Sequence, residues 1–361
     1  MYDPNKILAW LEENVQSMRR SRAKTLAAIT SGAMCLQGTG VLALGRAMQG
    51  GTAAKHRIKR VDRFLGNVQV EVQAVNEALF EQFCPKTGAV IVLADWTDRG
   101  DFQQLVLAFP CNGRAIPFYW ITIEKGDGSG QHEGLMIEAE QMALDALERM
   151  CGDTIQPIII ADRGFGNSRW LEDIAKRGWL FVQRLACNRG VEVEGYIGSL
   201  SELGIRRGWR SRDWGWGTMG DKQWGPIRLV TVFDRDAKEP WYLVTNIAEE
   251  HPAKVVRLYK QRMWIEALFR DLKNRNTGLG MDHVRLTQTG RHDRHFLIVA
   301  LAYILLFAFG AAAESAGLGE KLKANTVTER VLSLARIGNY FLQTAQIPIA
   351  CAIAALLDLS G

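Results

Sequence analysis

Two aspartates in this chain stand at the ends of apolar runs that have the character of buried strands. Asp95 lies near the end of AVIVLADW, and Asp162 ends QPIIIAD. Because the carboxyl ends of buried strands lie at the edge of a sheet where open α/β folds bind ligands, the two carboxylates are expected to be neighbours. Either aspartate alone could be a turn former or a helix cap, so a third acid is needed to favour chemistry.

A third acid, Glu266, lies within HPAKVVRLYKQRMWIEALFRDLKN, which the apolar spacing predicts to be one long amphipathic helix. At about 100° per residue, one narrow face of this helix carries a polar stripe. The stripe comprises Tyr259, Arg262, Glu266, Arg270 and Lys273. It could be an exposed face with intrahelical ion pairs. It also suits a phosphate clamp around a metal-binding carboxylate, because two Asp and one Glu can hold two Mg²⁺ ions about 4 Å apart for phosphoryl transfer.

The elements that would position these acids begin at residue 88. The order indicated is three strands, a helix around 132–151, a strand, the helix NSRWLEDIAKRG and the strand GWLFVQR. PCNGRA between the second and third strands has the residues of a hairpin turn. Residues 191–240 are rich in Gly, Arg and Trp without helical period, and they indicate a β-rich insertion before the strand PWYLVTN.

Basic residues are concentrated near the N-terminus. The 361-residue chain has a net charge of only +5, yet ten basic residues and one acid, Asp62, fall between positions 19 and 63. The run KHRIKRVDRFLGN contains Arg57, Lys59, Arg60 and Arg63, and its apolar spacing predicts a short helix with a basic outer face. Such a face is either simply solvated or attracts nucleic acid or an anionic membrane, and nucleic acid is the favoured interpretation.

Composition excludes several protein classes. The six cysteines are scattered without a CxxC pair, which argues against a zinc ribbon or a secreted disulfide scaffold and for a reducing cytoplasm. The N-terminal residues are not expected to form a signal peptide, because they are acidic before they are basic and lack an uninterrupted apolar stretch. Residues 296–313 are uncharged over a length that could span a membrane, but a single such stretch with charged flanks favours a buried core helix.

Several of these segments together resemble one family. The helix reads Y-x₂-R-x₃-E-x₆-K, which is similar to the signature of cut-and-paste DDE transposases of the bacterial insertion-sequence-four family. The aspartate segments resemble that family's DW-[ST]-D and [AS]-D-x-GF motifs. PWYLVTN precedes the signature helix as it does there, and RIKRVDRFLGN resembles the N-terminal DNA-binding stretch. The resemblance runs from about residue 20 to 315.

The resemblance implies an α/β fold with a ribonuclease-H-like mixed-sheet core. The implied regions are a helical DNA-binding domain (1–80), the first part of the core (81–190), the β insertion (191–240), the second part of the core (241–320) and a C-terminal helical region (321–361). The implied enzyme is a homodimeric cytoplasmic transposase, without a membrane partner. It would bind the inverted-repeat ends of its element in double-stranded DNA, cleave them, through a hairpin in some relatives, and join the 3′-hydroxyls to target DNA.

The same resemblance assigns roles to residues. Asp95, Asp162 and Glu266 would be the catalytic and metal-binding triad, holding two Mg²⁺ ions that Mn²⁺ could replace. Tyr259, Arg262 and Lys273 would bind DNA phosphates, and Trp241 would stack on a base flipped out of the duplex. The N-terminal DNA contacts would be Arg57, Lys59, Arg60 and Arg63.

Other interpretations stay open at this point. A metal-dependent nuclease or resolvase could share the core, and a catalytically silent descendant could bind DNA only. No histidine has the spacing of a metal site, so none is assigned as a ligand. Asp98 and Asp101 are interpreted as loop acids, and GFG at 164–166 as a tight turn. The insertion's tryptophans, Trp209, Trp214, Trp216 and Trp224, could pack internally or contact DNA.

Overall fold

The chain folds into a layer of helices at the N-terminus followed by a large mixed sheet with helices on both faces. A computed structural model describes residues 3–36, 38–126, 131–165, 168–248, 250–276, 278–324, 326–327 and 330–344. The N-terminal helices are α1 (Pro4–Asn14), α2 (Arg20–Ala33), α3 (Val41–Ala47), α4 (Ala54–Gly66) and α5 (Val72–Phe83). Apolar side chains of all five helices are buried, and the basic run predicted to be helical is α4.

The sheet contains ten strands within the described residues. They are β1 (Gly88–Arg99), β2 (Phe102–Cys111), β3 (Arg114–Glu124), β4 (Ile155–Ala161), β5 (Leu180–Arg184), β6 (Gly190–Val193), β7 (Tyr196–Ser199), β8 (Arg212–Met219), β9 (Trp224–Val232) and β10 (Trp241–Thr245). Their spatial order is β3-β2-β1-β4-β5-β10-β9-β8-β6-β7. The pairs β1–β4 and β4–β5 are parallel, whereas the pairs toward both edges are antiparallel.

The turn between β2 and β3 forms where PCNGRA predicts it. Cys111 pairs with Arg114, so the connection is only two residues long. Asn112 and Gly113 have φ angles of 45° and 79°. Two successive left-handed residues are the requirement of a type I′ hairpin turn, which Asn-Gly meets at little steric cost.

Helices cover both faces of the sheet. After the N-terminal five they are α6 (Gln131–Cys151), α7 (Ser168–Lys176), α8 (Pro252–Lys260), α9 (Met263–Lys273), α10 (Thr289–Ser315) and α11 (Leu334–Thr344). Successive residues of β1 show the two faces, because Trp96 reaches Glu140 on α6 while Asp95 reaches Arg262 at the start of α9. The predicted core order of three strands, helix, strand, helix and strand is present as β1-β2-β3-α6-β4-α7-β5.

Helix α10 contains the apolar stretch that is long enough to cross a membrane. In its most apolar 18-residue window, 89% of the residues are buried inside the protein. It packs against α2, α4, α11 and β3. Its outer surface is therefore covered by protein, which is the environment of a core helix.

Helix α11 crosses α10 at glycines. A Cβ atom added to Gly310 would lie 1.8 Å from the carbonyl oxygen of Leu334, and one added to Gly338 would lie 1.9 Å from that of Leu306. The two backbones can approach this closely only because neither glycine has a side chain. The described part of the C-terminal region, which ends at residue 344, is thus packed against the core.

A buried polar connection joins the end of β1 to the N-terminal helices. His295 of α10 is fully buried, and its Nε2 lies 2.9 Å from the carbonyl oxygen of Thr39 in the α2–α3 loop. Because that nitrogen must donate, Nδ1 is left to accept from Nη2 of Arg99 at 3.2 Å. Burial lowers the pKa of His295 to about 3, so the ring is neutral, as this arrangement requires.

Two further contacts join α10 to α4. The Arg294 guanidinium donates Nε–H to the carbonyl oxygen of Leu65 at the end of α4. Arg291 forms an ion pair with Asp62, one turn earlier on the same helix. Asp62 is the one acid of the basic segment 19–63, and its ion pair with Arg291 attaches α4 to α10.

The region predicted as a β-rich insertion forms the strands β6–β9, and because β9 pairs with β10 these strands continue the central sheet. One sequence-based prediction differs from the structure. The long amphipathic helix is broken between Lys260 and Met263, giving α8 and α9. Its hydrogen bonds tighten there, because Arg262 N–H bonds to the Tyr259 carbonyl and Trp264 N–H to that of Gln261.

Candidate active site

Asp95 and Asp162 occupy neighbouring positions at one edge of the sheet, as predicted. The parallel pairing of β1 with β4 ends at Ala94 and Ala161, and each aspartate is the residue that follows in sequence. Beyond this point β1 continues beside β2 while β4 ends. Asp95 is only 8% exposed, whereas Asp162 is half-buried.

One guanidinium group contacts all three acids. Arg262 places Nη2 at 3.0 Å from Oδ2 of Asp95 and at 3.2 Å from Oδ2 of Asp162. Its Nη1 forms an ion pair with Oε1 of Glu266. The structure therefore brings the predicted triad together, with a positive charge at its centre.

The break between α8 and α9 sets the position of this arginine. Arg262 lies in the tightened turn just before α9, and Glu266 is in the first turn of that helix. A turn with i→i+3 hydrogen bonds advances about 120° per residue instead of about 100°, so it rotates the preceding α8 residues relative to α9. The single stripe expected for a continuous helix is thereby divided between two segments.

Tyr259 reaches the same site from α8. It is fully buried, and its hydroxyl donates to Oδ1 of Asp162 at 3.1 Å. Trp241, at the start of β10, packs edge-on against the Tyr259 ring with 5.0 Å between centroids. Burial holds the pKa of the Tyr259 phenol above its usual range, so this hydroxyl stays a donor to the carboxylate. Here Tyr259 fixes the orientation of Asp162.

Burial and charge act in opposite directions on the central ion pairs. Burial raises the pKa of Asp95 to about 6, although the Arg262 charge lowers it; the nearby Asp162 charge adds to the rise. Burial alone would lower the pKa of the Arg262 guanidinium, but the charges of Asp95 and Asp162 outweigh it and raise that pKa. One cation thus faces three carboxylates, which leaves the site with a deficit of positive charge.

Lys273 lies apart from the three acids, at the far end of α9. Its Nζ donates to the carbonyl oxygen of Asp98 at 2.6 Å and lies 3.8 Å from Oδ1 of Asp282. Burial lowers the pKa of the Lys273 ammonium. The lysine therefore anchors the end of α9 to the end of β1.

A second charged cluster, which was not predicted from the sequence, lies beside Asp162. Glu239 accepts hydrogen bonds from Arg184 at 2.7 Å and from Arg163 at 3.4 Å. The backbone N–H of Arg163 also donates to Oδ1 of Asp162 at 2.7 Å. Position could have indicated Arg184, because it ends β5 as Asp162 follows β4. Arg163 starts a short 3-10 turn where a tight turn was expected; the last residue of that motif, Gly166, lies outside the described residues.

Glu140 is an isolated buried acid behind the site. It is 5% exposed, and its Oε1 accepts a hydrogen bond from Nε1 of Trp96 at 3.3 Å. Burial raises the pKa of Glu140 to about 7, more than the Trp96 hydrogen bond and the Arg169 charge lower it. The unfolded chain releases this proton near pH 4.5 and the folded chain near pH 7, so the stability due to the neutral acid is lost as pH rises between these values.

Glu140→Gln is therefore expected to stabilise the protein at pH 8 and to have little effect at pH 5. The amide keeps an acceptor for Trp96 and carries no charge to bury. At about 1.4 kcal/mol per pKa unit, the gain in unfolding free energy at pH 8 is roughly 2–3 kcal/mol. Urea unfolding at both pH values measures it, with the exposed Glu138→Gln on the same helix as control. A gain independent of pH would contradict the assignment.

The acids have the donor chemistry of a divalent-cation site. Carboxylate oxygens are the ligands that Mg²⁺ prefers. Within the described residues, no group of three or more His, Cys, Asp or Glu side chains is arranged closely enough to hold a metal ion, and at the triad Arg262 stands between the acids. Nε of this arginine is buried without a hydrogen-bond partner. The three carboxylates around one imperfectly bonded cation therefore have the donor chemistry of a divalent-ion site, although not its spacing while Arg262 lies between them.

The predicted N-terminal contacts divide into two kinds. Arg57 donates to three backbone carbonyls around the α3–α4 loop, and Arg60 donates to Oγ1 of Thr25 on α2. Lys59 and Arg63, four residues apart on α4, are exposed. Arg57 and Arg60 thus also hold the helices together, while Lys59 and Arg63 face outward.

Comparison with known proteins identifies one domain in the chain. No curated protein sequence matches it. Residues 134–305 match the family described as a transposase DDE domain. That range includes Asp162, Arg262 and Glu266 and begins after Asp95. The match supports a DDE transposase.

Proposed function

We propose that the chain is a cut-and-paste DNA transposase of the insertion-sequence-four type, with Asp95, Asp162 and Glu266 as its catalytic acids. The observation that carries this proposal is the convergence of these acids on one guanidinium at the edge of the sheet. The chain would bind the inverted-repeat ends of its mobile element, cut them, and join the 3′-hydroxyls to target DNA as a homodimer.

The three acids would hold two Mg²⁺ ions, or Mn²⁺ in their place. When bound, such a pair supplies activation of the attacking hydroxyl and stabilisation of the departing oxygen in phosphodiester cleavage and joining. The hydrogen bond from Tyr259 keeps one oxygen of Asp162 oriented. Arg262, which partly neutralises the acids here, would be available to a DNA phosphate once other cations neutralise them.

The remaining DNA contacts would come from both sides of this site. Lys273 is half-buried at the end of α9 and would bind phosphate beside the carboxylates. The exposed Lys59 and Arg63 make α4 the outer face of a DNA-binding helical domain, with Arg57 and Arg60 shaping it. Trp241 is half-buried, so part of its ring is available to stack on a base extruded near the cut if the second strand is cleaved through a hairpin.

The test is DNA joining by the purified full-length chain. It is incubated with Mg²⁺ and mixed genomic fragments, and joined products are sequenced, with EDTA and the variant Asp162→Asn as controls. We expect joined products that depend on Mg²⁺ and share a recurrent end sequence. Cutting without joining would indicate a nuclease of the same core, and DNA binding with neither reaction would indicate a silent DNA-binding protein.

A further inference from the structure

The start of β8 is preceded by an exposed loop that carries four arginines and no acid. We define residues 204–212, GIRRGWRSR, as the arginine loop. All four of its arginines are exposed, and within the described part of the chain none forms an ion pair. The next residue, Asp213, is already paired with Arg228, whose Nε donates to the Asp213 carboxylate at 3.0 Å. The positive charge of the loop is therefore not compensated locally.

The loop has a defined conformation. Gly208 has a φ of 84°, and its N–H donates to the carbonyl oxygen of Phe233 at 2.7 Å. A Cβ atom there would lie 3.3 Å from the side chain of Arg235. The N–H of Trp209 closes a turn on the carbonyl oxygen of Arg206 at 3.2 Å. The arginines are thus displayed from a backbone that is already fixed.

Aromatic rings orient three of the four guanidinium groups. Arg206 lies over Trp209 at 5.9 Å from the ring centroid, and Arg207 over Phe233 at 5.3 Å. The third, at the start of β8, is Arg212, which lies 3.9 Å from the Trp214 ring. Stacking uses the flat face of a guanidinium and leaves its N–H edges free for acceptors. Phosphate oxygens match those edges in charge and geometry.

The arginine loop lies along the same edge of the sheet as the three acids. At this edge Asp162 follows β4 and Arg184 ends β5. The antiparallel neighbour β10 begins here with Trp241, which pairs with Val232 at the end of β9. Strand β8 begins beside the end of β9, where Arg212 pairs with Thr231. Four strand spacings separate β4 from β8, which is about 19 Å at about 4.8 Å per strand. A duplex rising about 3.4 Å per base pair covers this distance in roughly six base pairs.

We infer that the arginine loop binds the phosphates of the DNA substrate about six base pairs from the scissile position. This inference rests on the proposed function for the identity of the ligand. The binding region that results is continuous, running from the carboxylates past Trp241 to the loop, and it gives the extension of the sheet a role in holding DNA.

The test measures how DNA affinity depends on salt. The full-length chain and its variants are titrated with a 30-base-pair duplex of mixed sequence at several NaCl concentrations. For the triple variant Arg206→Ala, Arg207→Ala, Arg210→Ala, we expect the slope of log K against log [salt] to be smaller in magnitude by about 2.7, since each lost phosphate contact contributes about 0.9. Substitution of the same three residues by Lys should largely preserve the slope, because the charges are kept. Thermal unfolding of each variant checks that it folds.

The matched control removes three charges at the opposite edge of the sheet, by replacing Lys86, Arg149 and Lys222 with Ala. All three residues are exposed. Lys86 precedes β1, Arg149 lies near the end of α6, and Lys222 lies in the β8–β9 turn. Equal slopes for the two folded triple variants would overturn the inference. If the wild-type chain cuts and joins DNA while the loop variant keeps the wild-type slope, only this inference fails; a wild-type chain without salt-dependent DNA binding would remove the proposed function as well.

Discussion

Replacing Asp95 or Asp162 with Asn, or Glu266 with Gln, is expected to abolish Mg²⁺-dependent DNA cleavage while leaving DNA affinity nearly unchanged. Each amide keeps the shape of the side chain and removes one of the charges that would hold the ions. We expect a rate loss of at least about 10³-fold, equivalent to about 4 kcal/mol of activation free energy. Two carboxylates remain around Arg262 in every variant, so the fold should persist.

The matched control for these variants is Asp98→Asn. Asp98 is an exposed acid three residues from Asp95, and Lys125 pairs with it outside the site. Cleavage time courses and duplex binding are measured for all four variants. A triad variant that cuts at the wild-type rate would remove that residue from the catalytic site, and an equal loss in Asp98→Asn would indicate a general charge effect.

Arg262→Ala is expected to lower stability strongly in EDTA and to make stability depend on divalent ions. The arginine is the cation shared by Asp95, Asp162 and Glu266, and Asp95 is almost fully buried. Removing one partner of a buried ion pair leaves an uncompensated charge, which here should cost about 3 kcal/mol of unfolding free energy. Mg²⁺ or Mn²⁺ would supply the missing charge and bind the folded state only.

Thermal unfolding with and without Mg²⁺ measures this effect, with Arg163→Ala as the control. Arg163 is adjacent to the site, but its side chain is paired with Glu239 and is exposed. We expect Mg²⁺ to raise the unfolding temperature of Arg262→Ala more than that of either the wild type or the control. The same Mg²⁺-induced shift in all three proteins would mean that Arg262 does not occupy the cation position.

The sequence predicted the acids better than it predicted their partners. The positions of Asp95 and Asp162 follow from strand ends, which apolar runs reveal directly. The contacts of Arg262 could not be predicted, because they depend on a tightened turn at Gln261 and Arg262 that the continuous apolar pattern of the helix conceals. A tertiary contact, between Glu239 and Arg184, likewise joins residues 55 positions apart without any periodic signal.

The sequence also did not reveal that the strands of residues 191–240 extend the central sheet. Residues 191–240 were predicted to be a β-rich insertion from their composition. Whether such strands form their own sheet or extend an existing one depends on the backbone pairing of Trp241 with Val232 and its neighbours. Backbone hydrogen bonds are available to every residue type, so composition carries little information about which edges pair.

The contacts between α10 and the N-terminal helices have a consequence for the proposed binding of DNA by α4. Arg294 and Arg291 hold α4 against α10, and His295 holds the α2–α3 loop, so α4 has a fixed position relative to the carboxylates. A duplex bound by α4 would therefore present its cut position in one angular phase. With about 10.5 base pairs per turn, five extra base pairs between the bound sequence and the cut would turn the scissile phosphate to the opposite side of the duplex. If α4 binds the element's ends as proposed, the docking of these helices would set the spacing between the bound sequence and the cut.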